Sequence, residues 1–533
     1  MFSDNESFFD EKEDISENAF YNIIEYGIDV SQLYIESYIK NMANYNFDND
    51  FEENIYSMIK SQFGSEYDLF SFYDDDDDEN DNLIIDVIVQ EIMKSVYSKV
   101  IPRRSYNKTF IRNKNLDKEK LEKHLDYLKS KPQPDQRTEE WYKTRHNLIT
   151  ASNAWKCFES QANQNQIIYE KCQPIQERSN MGVNINSTLH WGQKYEPIST
   201  QLYEYMYDTK VDDFGCIIHD KYHFLGASPD GIVVNKESQR YGRMLEIKNI
   251  VNREITRIPK KEYWIQMQLQ MEVCNLKECD FLETKFTEYE SYDDFYNDGN
   301  NFTKSDNLLY KGAIVLFMDG LTPKYFYPDF QIKQEEYNVW YNKIMEDNSH
   351  LQFVNVIYWK LELFSCILVL RNKKWFEHSI DQIDNIWKQI LYDRENGYEY
   401  RAPIKRERKM SISNEKIIDK PNCLIHDSSD EESKKECLIP DSSDDDSVHA
   451  PQDLLILDKT TSENISKELN EIVDSNQNKD IEKKDGESKE SKKSKQSKNK
   501  KEDEKDKTGT GFTFKIETTS CSDLDKEILN LIS

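Results

Sequence analysis

The sequence predicts an α/β domain set between an acidic, partly helical N-terminal region and a charged tail. Three observations carry that prediction. Short apolar segments between Phe214 and Ile250 are broken by turn residues, as successive strands are. Segments on either side space apolar residues three and four apart, as helices do. Composition shifts near residues 100 and 400, which gives regions 1–100, 101–400 and 401–533.

The chain has 533 residues, enough for two or three domains, and a formal net charge of −30. Residues 1–100 hold 25 Asp or Glu against 5 Lys or Arg, whereas residues 101–150 hold 13 Lys or Arg against 7 acids. The acidity sits in one flank, so it does not exclude an anionic ligand for the rest. The nine cysteines form no CxxC pair, which argues against zinc and iron–sulfur clusters and for free thiols in a reducing compartment. The start MFSDNESFFDEKED lacks the basic and apolar runs of a signal peptide, and no apolar run reaches the length of a membrane span. A soluble, intracellular protein is the expectation. No GxxxxGK[ST] loop is present to bind ATP phosphates.

Within 1–100, Ile85, Ile88, Val89, Ile92 and Val96 form one helical stripe. The run DDDDDEND from Asp74 to Asp81 reads as a solvated loop or an anion-rich arm. In the tail, low aromatic content and blocks of like charge leave little apolar surface to bury, so disorder is expected. CLIHDSSDEES at Cys423 and CLIPDSSDDDS at Cys437 repeat at a fourteen-residue spacing, too short for a solenoid. These CLIxDSSD repeats resemble SUMO-interacting motifs that would bind a tail partner, and Ser429 and Ser443 resemble acid-directed kinase sites.

The central region carries the chemistry. DQRTEEWYKTRHNLITASNAW brings Arg145, Thr150 and Ser152 near what reads as a helix start, where guanidinium and hydroxyl groups can cradle a phosphate. LHWGQKYEPISTQLYEYMYD reads as a helix with Tyr195, Ile198, Leu202 and Met206 on its apolar side and Glu196 beside it. Gly192 is expected to let that helix approach other backbone closely. FGCIIHDKYHFLGASPDGIVV reads as two strands, with Asp230 at their hairpin turn, and GRMLEIKNI as a third. Glu246 and Lys248 are two apart on that strand and share a face, leaving Ile247 to the opposite core. Two carboxylates and a lysine converging on one spot suit a magnesium site in which the ammonium orients a water. KKEYWIQMQLQMEVCN reads as an amphipathic helix whose Gln266 and Gln270 face those carboxylates while Met267, Met271 and Val273 look inward. Residues 277–305 read as an acidic insertion before the next strand, and NKKWFEHSIDQIDNIWKQI supplies a late helix.

R-x4-TAS, G-x3-E, SPDG, E-x-K and YW-x-QMQ-x-QM, in that order over residues 130–395, resemble the YqaJ-type viral recombinases. That group sits with the lambda-type exonucleases among the PD-(D/E)XK nucleases. The resemblance implies a restriction-endonuclease-like core with a central mixed sheet flanked by helices. It implies Mg2+, or Mn2+ in its place, held by Asp230, Glu246 and the Ile247 carbonyl, with Glu196 completing a second position. Lys248 would place the attacking water, Gln266 would brace the site, and Arg145, Ser152 and Thr150 would grip a terminal 5′ phosphate. The implied activity is exonucleolytic digestion of duplex DNA from 5′ ends, leaving 3′ overhangs for a single-strand annealing partner, by a homotrimer. A structure-selective endonuclease and a non-catalytic DNA-binding or virion scaffold are the alternatives. The implied place is a host cytoplasm or viral factory, or the virion itself.

Overall fold

The computed structural model describes residues 17–63, 84–107, 116–134, 138–175, 184–185, 187–299 and 301–403. The aspartate run at 74–81 and the tail repeats lie outside them. The chain divides into two compact units: one holds the described residues up to Arg104 together with residue 116, the other residues 105–107 and 117–403.

The first unit contains α1 (Glu17–Tyr38), α2 (Phe47–Phe63) and α3 (Ile84–Lys99). Phe47, Phe51, Ile55 and Ile59 recur every fourth residue of α2 and are all buried, so one stripe of the helix faces the unit's core. The stripe expected on α3 is buried as well: Ile85, Ile88, Val89, Ile92 and Val96. Buried Arg104 donates to the carbonyls of Met42, Ala43 and Tyr45, which satisfies a group that would otherwise be costly to desolvate.

The second unit has α4 (Lys118–Ser130), α5 (Glu139–His146), β1 (Ile149–Thr150), α6 (Gln161–Cys172) and α7 (Thr188–Tyr207). Four short strands follow: β2 (Val211–Asp212), β3 (Ile217–Ile218), β4 (Leu225–Ala227) and β5 (Gly231–Val233). Next come β6 (Met244–Ile250), α8 (Lys261–Val273), β7 (Glu278–Glu288), α9 (Tyr292–Asn297), β8 (Lys311–Asp319) and β9 (Thr322–Phe326). The unit ends with α10 (Gln334–Asp347), the long strand β10 (Gln352–Leu370) and α11 (Lys373–Asn396). A seven-stranded sheet runs β2-β5-β6-β7-β10-β8-β9, with β6 and β7 parallel across the α8 crossover and the other pairs antiparallel. A second sheet, β1-β4-β3, is smaller.

This is the mixed sheet flanked by helices that the sequence implies. Alternation along β6 divides its side chains between two layers. Leu245 and Ile247 face α7, packing with Tyr203, Val233 and Leu282. Farther along the sheet Tyr195, Ile198 and Leu202 of α7 pack on Phe286, Ile314 and Trp359. Glu246 and Lys248 point the other way, toward α8, where the Tyr263 ring lies 5.8 Å from that of Phe281.

Four sequence expectations are corrected here. Residues 278–288 are no insertion but β7, a central strand. Its acids are tolerated because distant arginines reach them: Arg243 pairs with Glu278, Arg240 and Arg243 with Asp280, and Arg253 with Glu283. Helix α8 is not amphipathic, since every residue from Tyr263 to Met271 is buried. A side chain added at Gly192 would meet nothing within 4 Å, so that glycine serves no close approach. Met206 is exposed rather than packed.

Candidate active site

Asp230 is not at a hairpin turn. Strand β4 pairs with β1 and β3 in the small sheet, and β5 pairs with β2 and β6 in the large one. Ser228, Pro229 and Asp230 are the passage between the two sheets, and that passage delivers Asp230 to the β6 backbone. Its Oδ2 accepts from the Ile247 N–H at 2.7 Å.

Glu246 is fully buried. Its Oε1 accepts from Lys248 Nζ and from Gln266 Nε2, both at 2.7 Å, and its Oε2 accepts from Gln270 Nε2 at 2.7 Å. Gln266 and Gln270 stand one helical turn apart on α8, so both amides reach a single carboxylate, as the spacing suggests. The Tyr263 ring lies 5.0 Å from Lys248 Nζ and 5.3 Å from the Arg253 guanidinium.

Burial pushes the Asp230 carboxyl well above the usual carboxylate range, and repulsion from Glu246 and then Glu196 adds to it; Lys248 and the Ile247 N–H offset part. Glu196 of α7 therefore acts on the same spot electrostatically. Burial pulls Lys248 down, but Glu246 and Asp230 outweigh it and hold the ammonium protonated, above the ordinary lysine range. Among the described residues no three His, Cys, Asp or Glu side chains form a ready ion cage.

The second cluster lies along β1, whose Thr150 is in register with Gly226 of β4, two residues before Ser228. Arg145 Nη2 donates to Ser152 Oγ at 3.4 Å, Ser152 Oγ lies 3.3 Å from Thr150 Oγ1, and the Arg145 guanidinium stacks 4.4 Å from the Trp141 ring. The three predicted residues are thus brought together. Arg145 sits in the last turn of α5, Thr150 on a strand and Ser152 in the turn that leads into a short 3-10 helix, Ala154–Phe158.

Sequence reasoning missed what holds this cluster. Buried Lys171 of α6 donates to the Arg145 carbonyl at 2.6 Å. Arg394 of α11 donates to the carbonyls of His146 and Lys171 at 2.9 and 2.7 Å. Burial, with Arg145 next, brings the Lys171 ammonium down to about 7. The signal was available: Lys171 belongs to an apolar helical stripe with Ile167, Ile168 and Cys172, all buried.

Residues 140–277 match the family model of the YqaJ-like viral recombinase domain. The matched segment includes the residues of both clusters and ends just before β7, so the outer half of the large sheet and α11 lie beyond it. The chain is 30% identical over 332 residues to "Uncharacterized protein R354" of Acanthamoeba polyphaga mimivirus, covering 54% of this chain. It spans only 58% of the length of that curated relative. Among solved structures, the alkaline exonuclease (LHK-Exo) of Laribacter hongkongensis, alone and in complex with dAMP, is 20% identical with a TM-score of 0.27. That likeness covers 49% of this chain and 95% of the exonuclease.

Proposed function

We propose that the protein is a divalent-metal-dependent DNA exonuclease of the viral recombination type, digesting duplexes from 5′ ends and leaving 3′ overhangs. The observation that carries this reading is the convergence of Asp230, Glu246, Lys248 and Gln266, inside the recombinase domain, with the basic hydroxyl-bearing cluster one strand away.

The donor set fits a hard divalent cation. Asp230, Glu246, Glu196 and the Ile247 carbonyl offer only oxygen, as Mg2+ and Mn2+ require, and the crowding of negative charge on Asp230 is what a cation relieves. A bound cation would supply Lewis acidity at the scissile phosphate and a more acidic water. The chain's own residues do the rest. Lys248, protonated, offers a charge-assisted hydrogen bond beside the carboxylates and orients a nucleophile or steadies charge on the phosphate. Gln266 fixes the Glu246 carboxylate for that task. Arg145, Ser152 and Thr150 hold a terminal 5′ phosphate, which sets the first phosphodiester against the carboxylates and favours ends over internal positions. A homotrimeric ring and an annealing partner are further elements of the reading, and they rest on family resemblance.

The test is digestion of linear duplexes, with and without a 5′ phosphate, and of a circular duplex in Mg2+. The expected result is faster loss of phosphorylated ends, a spared circle, abolition by chelator, and a fall in kcat of about 10²–10⁴-fold for Lys248→Ala. Nicking of the circle would replace this reading with an endonuclease. DNA binding without any cutting would leave only a scaffold.

A further inference from the structure

We infer that Gln270 is a positioning residue that sets the spacing of the two cation-binding carboxylates; this rests on the cation site proposed above. Gln270 is fully buried on α8. Its single amide nitrogen donates twice, to Glu246 Oε2 at 2.7 Å and to the Ser228 carbonyl at 3.2 Å. An amide nitrogen has two N–H bonds, and both are used. The two acceptors belong to different pieces of the fold: Glu246 lies within β6, whereas Ser228 stands two residues before Asp230 in the passage between the sheets. One side chain therefore ties the strand carrying one carboxylate to the segment carrying the other.

Gln266 cannot do this. Its bond to Glu246 Oε1 duplicates that of Lys248 and touches nothing in the Ser228 segment. The amide orientation of Gln270 is dictated by its surroundings as well. Turning it over would aim Oε1 at a carboxylate and a carbonyl, two acceptors that repel it, so Oε1 stays buried and accepts no hydrogen bond from the described residues. A buried amide held with one of its atoms unsatisfied is retained because its other atom holds something in place.

Outer residues that orient metal-binding carboxylates typically change metal affinity by about 10–100-fold when removed. The experiment titrates Mn2+ into the full-length protein without DNA and reads free Mn2+ by electron paramagnetic resonance. Gln270→Met removes both donors at similar volume; Gln270→Asn keeps the amide but is too short to span both acceptors, and guards against a misfolded methionine variant. Gln268→Met is the control, because Gln268 is just as buried on the same helix but bonds the Leu370 carbonyl and the Asn372 N–H instead. Weakening of Mn2+ binding by about 10–100-fold in both Gln270 variants, with Gln268→Met unchanged, is the expected result. Wild-type or tighter binding in the Gln270 variants overturns the inference, and so does equal weakening by Gln268→Met. Mn2+ binding that Glu246→Gln leaves untouched overturns the cation site itself along with it.

Discussion

At the scale of single residues, the buried lysine behind the Arg145 cluster has a consequence for stability. Lys171 carries an ordinary value of 10.5 when exposed and about 7 in the folded protein. Between those values the folded chain binds fewer protons than the unfolded one, so stability rises as pH climbs from 7 toward 10.5. Below 7 the ammonium is charged in both states and its burial opposes folding. Thermal melts are therefore expected to show the difference in Tm between wild type and Lys171→Met moving in favour of wild type as pH rises over that window, a comparison that cancels the buried thiols, which act in the opposite sense above about 9. An unchanged slope in the variant would mean that Lys171 is not the group responsible. Glu246 and Lys248 are legible in the sequence as a candidate site because charge inside an apolar strand is rarely left without a partner. The apolar stripe of α6 marks Lys171 as buried, but its partner and that of Arg394 are carbonyls, and nothing in a local sequence marks which carbonyl a cation will reach.

At the scale of elements, the small sheet links the two clusters, and Gly226 is its tightest point. A side chain there would stand 2.7 Å from Leu148 Cδ1, 3.3 Å from the Ile217 carbonyl and 3.4 Å from Cys216 Sγ. Leucine can yield, but the carbonyl belongs to the neighbouring strand. Gly226→Ala is expected to cost about 1–3 kcal/mol in denaturant unfolding. Because Thr150 is in register with Gly226, the same change should diminish the preference for phosphorylated ends more than kcat on bound DNA. A variant that is destabilised yet keeps its full end preference would uncouple β1 from end recognition. The strands were the poorest part of the sequence reading. Strand β7 looked like an insertion because its acids are neutralised by Arg240, Arg243 and Arg253, contributed by other segments. Helix α8 looked amphipathic because three glutamines are normally solvent-facing; here Gln266, Gln268 and Gln270 all find buried partners.

At the scale of the whole molecule, both clusters belong to the second unit, while the first is a helical unit with its own core. Ligand that binds only the folded site stabilises the unit containing it, by about 2.7 kcal/mol at a hundredfold excess over Kd. Calorimetry with and without Mg2+ is expected to raise the transition of the α/β unit. No shift at saturating Mg2+ would count against the cation site. Among the described residues no helix is long and apolar enough to cross a membrane. What the sequence determined by itself is local: helical stripes such as that of α3, the shared face of Glu246 and Lys248, the one-turn spacing of Gln266 and Gln270, and the ordered motifs within the segment that matches the YqaJ-like family model. Those follow from backbone periodicity, which acts over a few residues. What only the tertiary structure decided is which distant segments meet. Asp230 reaches β6 because the chain changes sheets at Ser228–Asp230, and β7 can be acidic because arginines from elsewhere in the fold arrive beside it. Pairing and desolvation depend on three-dimensional neighbours, and sequence distance does not encode them.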